Sequence, residues 1–244
     1  MTLQALKSVR HGRASVPSKK RLPTMYDLPS ENPEDPGMPD QYHIWQSDLL
    51  TRTFRPPEYP EERILVASDL NLYYDPKNTS WYKRPDWYAV LDVPHLYADN
   101  DPRLSFVVWD EKAVPYIAVE LISPGTEKED LGKSRRKPGE PPAKWEVYEK
   151  ILGIPYYVLF DRHNKDRLVA YRLTGGRYRR IALPKKRLWI PEIKLGLGLR
   201  TGTYYNLKRR WLRWYDAENN WIPTSEEEKQ QAERKERLAE KEKR

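Results

Sequence analysis

Short apolar segments follow one another through the middle of the chain, and their order limits the fold more than any other feature. Four of them are rich in Val, Ile or aromatic residues and lie between Pro, Asp or Asn: 63–67, 87–93, 104–109 and 116–122. Such segments predict β-strands, antiparallel in part. A helix over 143–152, ended by Gly153 and Pro155, and a buried strand over 156–160 come next. This order predicts an α/β fold with one mixed sheet flanked by helices.

Further elements are predicted on both sides of this region. Residues 41–54 place Tyr42, Trp45 and Leu49 on one helical face. A hairpin is predicted around the turn at 174–176, which contains two glycines. The two strands of this hairpin are expected over 168–172 and 178–183. Two short later strands are expected over 188–190 and 211–214, and a helical tail over 225–244.

The chain length suits one medium-sized domain with appendages, because 38% apolar residues cannot fill two cores. Residues 1–40 carry several cations and prolines without an apolar period, which predicts a disordered arm. The main domain is then expected over 41–222. Residues 223–244 are expected to form a charged helix that starts at the capping box of Ser225 and Glu228. The apolar residues of this tail are few for a coiled coil.

Charge and cysteine content restrict the partners and cofactors. The net charge of +8 and the pI near 9.4 favour a polyanion, and DNA is the partner we expect. With no cysteine, the chain has neither disulfides nor thiolate zinc sites, so a metal ion would be bound mainly by oxygens. We find no apolar run long enough to cross a membrane and no secretory signal, and we expect a cytoplasmic protein, with a homodimer as one possible assembly.

Two acidic residues lie where predicted strands meet loops. Asp86 begins one strand, and Glu120 lies within another that is otherwise apolar. A buried carboxylate costs several kcal/mol unless it is paired or bound to a metal, so Glu120 requires a partner. A Mg²⁺ or Mn²⁺ ion shared with Asp86 would meet this requirement, and Lys144, on an otherwise apolar helix face, is the candidate to stabilise a reacting phosphate.

An ordered set of motifs resembles the Uma-two family of bacterial restriction-endonuclease-like proteins. The motifs are Arg84-Pro85-Asp86-Trp87, the run 118–126 (Ala-Val-Glu-Leu-Ile-Ser-Pro-Gly-Thr), Asp130, Lys144-x-x-x-Tyr148 and the run 153–161 (Gly-Ile-Pro-Tyr-Tyr-Val-Leu-Phe-Asp). The match spans roughly residues 42 to 200. The resemblance implies a PD-(D/E)XK nuclease core in which Asp86 and Glu120 bind a divalent cation and, with Lys144, carry the catalysis.

The sequence departs from the superfamily pattern in two places. Ile122 stands where a strict E-X-K motif has lysine, and the resemblance implies that Lys144 on the following helix takes its place. The connection over 131–142 is lengthened and basic. Its Lys133, Arg135, Arg136 and Lys137 are candidates for tracking a DNA backbone, although a solvated loop explains them equally well.

Other residues receive weaker interpretations. Most tryptophans are expected in the core. Asp130 fits a helix cap or support for the metal ligands, and Asp161 a turn at a strand end. The histidines His43, His95 and His163 match no motif spacing and receive no role.

Three functions remain open from the sequence. The first is metal-dependent hydrolysis of DNA phosphodiester bonds by an endonuclease. The second is a catalytically silent nuclease fold that only binds nucleic acid, with the displaced lysine as a sign of decay. The third is an adaptor that acts through the helix at 225–244.

Overall fold

The computed structural model describes residues 40–98, 100–123, 127–134, 136–137 and 139–242. The predicted arm lies outside these residues apart from Asp40, and so does Arg135. The helices and strands, in chain order, are α1 Gln41–Thr53, β1 Ile64–Ala67, β2 Leu72–Tyr73, β3 Tyr82–Lys83, β4 Trp87–Leu91, β5 Phe106–Val107, α2 Val108–Glu111, β6 Ile117–Leu121, α3 Glu127–Asp130, α4 Lys144–Glu146, β7 Tyr156–Asp161, β8 Arg167–Thr174, β9 Arg177–Ile181, β10 Arg187–Ile190, β11 Leu195–Tyr204, β12 Leu207–Tyr215 and α5 Ser225–Glu242. A π-helical turn, Val147–Ile151, continues α4.

A six-stranded sheet forms the centre of the fold, with the strand order β1-β4-β6-β7-β8-β9. Strands β6 and β7 pair in parallel, and the other neighbours are antiparallel. The prediction of a mixed sheet in an α/β fold is therefore confirmed. Two three-stranded sheets, β10-β11-β12 and β3-β2-β5, complete the strands of the described residues.

The two faces of the central sheet carry two separate cores. We call the first the hairpin face: it packs against α1 and the sheet β10-β11-β12. We call the second the site face: it packs against β2, β5 and the α4–π segment. Because side chains alternate along a strand, Trp87 and Val119 point to the hairpin face, whereas Tyr88 and Ala118 point to the site face. Asp86 and Glu120 share the alternation of Tyr88 and Ala118, which places both acids on the site face.

Several predicted elements are shorter or different in the structure. The strand expected over 104–109 is reduced to β5, because α2 begins at Val108 and includes Trp109. The helix expected over 143–152 is α4 followed by the π turn, and it ends as predicted at Gly153, whose φ of +64° is left-handed. The strand β11 was not predicted, because its alternating glycines lack the side chains that indicate a strand.

The charged tail is helical, as predicted, but its capping box is formed by Thr224 and Glu227 and not by Ser225 and Glu228. Arg213 anchors its first turn, donating through Nη1 to Glu227 Oε1 at 2.9 Å. None of the side chains of α5 is buried. No helix among the described residues is long and apolar enough to cross a membrane.

Candidate active site

Asp86 and Glu120 lie directly opposite each other on neighbouring strands. Strands β4 and β6 are antiparallel with Trp87 paired to Val119, and this register continues to the Asp86–Glu120 pair. The Asp86 amide nitrogen lies 3.4 Å from Glu120 Oε2, and Asp86 Oδ2 accepts a hydrogen bond from the Leu121 amide. Like charges opposed across two strands destabilise a sheet, so this pair needs a counter-charge.

Lys144 supplies one positive charge to the pair. The Glu120 side chain is fully buried, and its Oε2 lies 2.9 Å from Lys144 Nζ. Its other oxygen, Oε1, accepts a hydrogen bond from the Tyr148 hydroxyl at 3.0 Å. Lys144 and Tyr148 lie four residues apart at the start of α4 and in the π turn, so both reach the site from one helix face. Glu120 is thereby held through both oxygens.

A second pair of acids holds Lys144 from the opposite side. Asp130 Oδ1 lies 3.1 Å from Lys144 Nζ, and the Asp130 carbonyl accepts a hydrogen bond from the Tyr157 hydroxyl at 3.0 Å. Glu129 Oε1 accepts from the Lys144 amide and from Lys83 Nζ, each at 3.2 Å. The short helix α3 thus fixes the position of the lysine, which agrees with a supporting role for Asp130 and not with a simple cap.

Burial is the main influence on the pKa values of the two acids. Burial raises the pKa of Asp86 to about 6, although the Lys144 and His43 charges oppose the shift. Burial also raises the pKa of Glu120 well above its usual range, against the effect of Lys144 and with that of Asp86. Burial alone would lower the pKa of Lys144, but the carboxylates of Asp130, Glu120 and Asp86 outweigh it and raise the value.

His43, which received no role from the sequence, lies at the edge of this site. Its Nε2 lies 2.8 Å from the Leu121 carbonyl oxygen and its Nδ1 lies 2.8 Å from Asp40 Oδ1. Since both neighbours are acceptors, both ring nitrogens donate and the ring is an imidazolium. Burial lowers the pKa of His43, but the Asp40 hydrogen bond and the charge of Asp86 outweigh it and raise the pKa to about 9. No signal in the sequence links two residues 78 positions apart.

The donor set fits a hard divalent cation with few protein ligands. Within the described part of the chain, no group of three or more His, Asp or Glu side chains is arranged to hold a metal ion. A cation here would therefore be bound by the two carboxylates of Asp86 and Glu120 and by water, which is the usual coordination of Mg²⁺. The raised pKa values of both acids are consistent with a site that gains from another positive charge.

The other candidates from the sequence have different surroundings. Arg136 pairs with Glu129, whereas Lys133 and Lys137 are exposed. Asp161 accepts hydrogen bonds from the amides of two following residues, as expected of a turn residue. Buried tryptophans confirm the core expectation at positions 87, 211 and 214, whereas those at 109 and 189 are more than a third exposed.

Comparison with known proteins gives one match. The family model Uma2, described as "Putative restriction endonuclease", matches residues 20–203, which is more than half of the chain. The matched range includes both acids, Lys144 and Tyr148. No curated protein and no solved structure matches the chain.

Proposed function

Because the chain belongs to the Uma2 family, whose description is "Putative restriction endonuclease", we propose that it is a metal-dependent endonuclease that hydrolyses DNA phosphodiester bonds on a PD-(D/E)XK core. The observation that carries the proposal is the opposed pair of Asp86 and Glu120, with Lys144 Nζ 2.9 Å from the glutamate. The family supports a nuclease. The choice of DNA, the metal and the residue roles belong to the proposal.

Each residue has a separate task in this proposal. Asp86 and Glu120 hold Mg²⁺ or Mn²⁺, which when bound activates water and offsets charge that develops on phosphorus. Lys144, fixed by Glu120 and Asp130, presents its ammonium to a phosphate oxygen. Tyr148 donates to Glu120 and restricts the orientation of the carboxylate. Lys144 thus takes over the task of the lysine that Ile122 replaces.

The alternative is a silent nuclease fold that binds nucleic acid without cutting it. The displaced lysine motivated this alternative. The contact between Lys144 and Glu120 weakens that argument, because the ammonium reaches the acid from the neighbouring helix. The adaptor hypothesis has less support, since α5 has no buried side chain and only a sparse apolar face.

The test is cleavage of supercoiled plasmid in Mg²⁺, in Mn²⁺ and in EDTA. We expect nicking that requires a metal and falls at least about 100-fold in Asp86→Asn and in Glu120→Gln. Asp92→Asn is the matched control, because it makes the same change at an acid whose side chain is 77% exposed. Equal activity in Asp86→Asn and Asp92→Asn would reveal a contaminating nuclease, and retarded but uncut DNA would favour the silent fold.

A further inference from the structure

Four cations converge on one surface beside the candidate active site. We call this surface, formed by Arg162, Lys186, Arg209 and Arg210, the basic face. Arg209 and Arg210 lie 3.5 and 3.6 Å from the Asp166 carboxylate, and Lys186 Nζ lies 2.6 Å from the Asp166 carbonyl oxygen.

Arg162 joins the other cations across an aromatic ring. The guanidinium carbons of Arg162 and Arg209 each lie 4.4 Å from the centroid of the Tyr42 ring. Asp40 pairs with Arg162 and is, with Asp166, one of two carboxylates that contact the four cations. Positive charge therefore exceeds negative charge on this surface, which favours an anionic partner.

The aromatic rings beneath these cations are not accessible for stacking. Tyr42 is 4% exposed and Trp211 is 2% exposed, and the two rings stack on each other with centroids 5.4 Å apart. Guanidinium groups lie over both. The surface thus offers charge and hydrogen-bond donors to phosphate groups and no open ring face to a base.

A short series of contacts connects the basic face to the two acids. Arg162 pairs with Asp40, which accepts from His43, and His43 lies 2.8 Å from the carbonyl oxygen of Leu121, the residue after Glu120. Arg162 of the basic face is thus linked through two side chains to the backbone next to Glu120.

We propose that the basic face binds the phosphate backbone of duplex DNA and leads it to the candidate active site, a proposal that rests on the proposed nuclease function. Recognition here is of charge, so affinity depends on salt and not on base sequence. The exposed Lys133 and Lys137 of the lengthened loop are the competing surface.

The test is fluorescence anisotropy with a labelled 30-bp duplex in EDTA, so that binding is separated from cleavage. We compare Lys186→Gln/Arg210→Gln with Lys133→Gln/Lys137→Gln, since each variant loses two positive charges. We expect at least about tenfold weaker binding for the first variant and less than about twofold for the second. The slope of log K against log salt should fall by about 2 in the first variant alone.

The remaining outcomes separate this proposal from the nuclease proposal. Arg210→Gln alone, at a side chain that is 52% exposed, replaces the double variant if the latter has an altered thermal melt. Equal losses in both variants, a larger loss in the loop variant, or unchanged binding in the first would overturn the basic face as the DNA surface. Metal-dependent cleavage by the wild type would leave the nuclease proposal standing in each of these cases.

Discussion

The two faces of the central sheet are built from the same strands, but the site face adds a pair of opposed acids to its apolar core. On the hairpin face, β4 and β6 contribute Trp87, Val119 and Leu121 to a core of carbon atoms. On the site face, the alternate positions of the same strands contribute Asp86 and Glu120. Burying the apolar side chains is favourable by itself. Burying the two acids is tolerated only because Lys144 and Tyr148 pair with Glu120.

This difference shows where mutations should be tolerated. A carbon core changes its stability with volume, because lost or excess atoms alter packing. The stability of a buried group of charges depends on the charge of each residue in it, because removing one cation leaves buried acids without a counter-charge. The free energy of unfolding should therefore depend on side-chain size in the core of the hairpin face, and on side-chain charge at Asp86, Glu120 and Lys144 of the site face.

The largest effect is expected when Lys144 loses its charge but keeps its length. Lys144→Met leaves Glu120 and Asp130 without their shared ammonium, and we expect a loss of about 3–5 kcal/mol in the free energy of unfolding. Urea denaturation measures it. Lys150→Met, on the same segment with a side chain 49% exposed, should cost less than about 0.5 kcal/mol. Adding Glu120→Gln to Lys144→Met should restore part of the loss, and failure to do so would contradict the charge argument.

A size effect is expected at Gly196, beside the buried ring of Tyr215 in the sheet β10-β11-β12. A Cβ atom there would lie 1.9 Å from the ring of Tyr215, its cross-strand partner, so the ring would have to move. We expect Gly196→Ala to destabilise the protein by about 1–3 kcal/mol in thermal or urea unfolding. Gly202→Ala, with no atom within 4 Å of the added methyl, is the control on the same strand. Equal values for the two would mean that Tyr215 adjusts freely.

His43 offers a pH test, because it lies on α1 yet contacts the site. Its folded-state pKa of about 9 exceeds the ordinary 6.5, so the imidazolium stabilises the fold fully below pH 6.5 and loses that effect as the pH rises through 9. The stability difference between wild type and His43→Gln should shrink by about 1–2 kcal/mol between pH 6.5 and 9.5. Urea denaturation across this range measures it. A constant difference would show that the ring acts by shape and not by charge.

The smallest effect is expected at the tail, which contacts neither core. Truncation after Glu228 keeps the contact of Arg213 with Glu227, and the described side chains that it removes, those of 229–242, are all exposed. Thermal unfolding should change by less than about 0.5 kcal/mol, and plasmid cleavage should be unchanged. Loss of cellular function with intact cleavage would instead revive the adaptor hypothesis.

The sequence predicted the site where local patterns carried the information. Glu120 was conspicuous because a carboxylate interrupts an apolar strand, and Lys144 because it stands on an otherwise apolar helix face. Gly153 marked the end of that helix through its need for a positive φ. Each of these signals lies within a few residues of the chain, whereas the grouping of Asp86, Glu120 and Lys144 into one site was implied by the family resemblance.

Features that depend on distant segments were missed. His43 reaches the site only because α1 passes the end of β6, a contact across 78 positions. The basic face assembles from the ends of β7 and β12 and the turn before β10. Two of these segments are basic by themselves, with Lys185-Lys186-Arg187 and Lys208-Arg209-Arg210, but nothing along the sequence indicates that they meet. The loop at 133–137 attracted attention instead because it lies between Asp130 and Lys144 in the sequence, although Arg136 is already paired with Glu129.

The π turn at Val147–Ile151 has a consequence for how this protein can change over evolutionary time. Such a turn holds one more residue than an α-helical turn, so it shifts the rotational phase of everything that follows it. Lys144 and Tyr148 keep their direction toward Glu120, while Leu152 and Ile154 are turned independently into the core. Deleting one residue here would restore a regular helix. Either Lys144 and Tyr148 would then lose their direction toward Glu120, or Leu152 and Ile154 would lose theirs toward the core. The widened turn thus allows the part of the segment that contacts Glu120 and the part that packs in the core to vary separately.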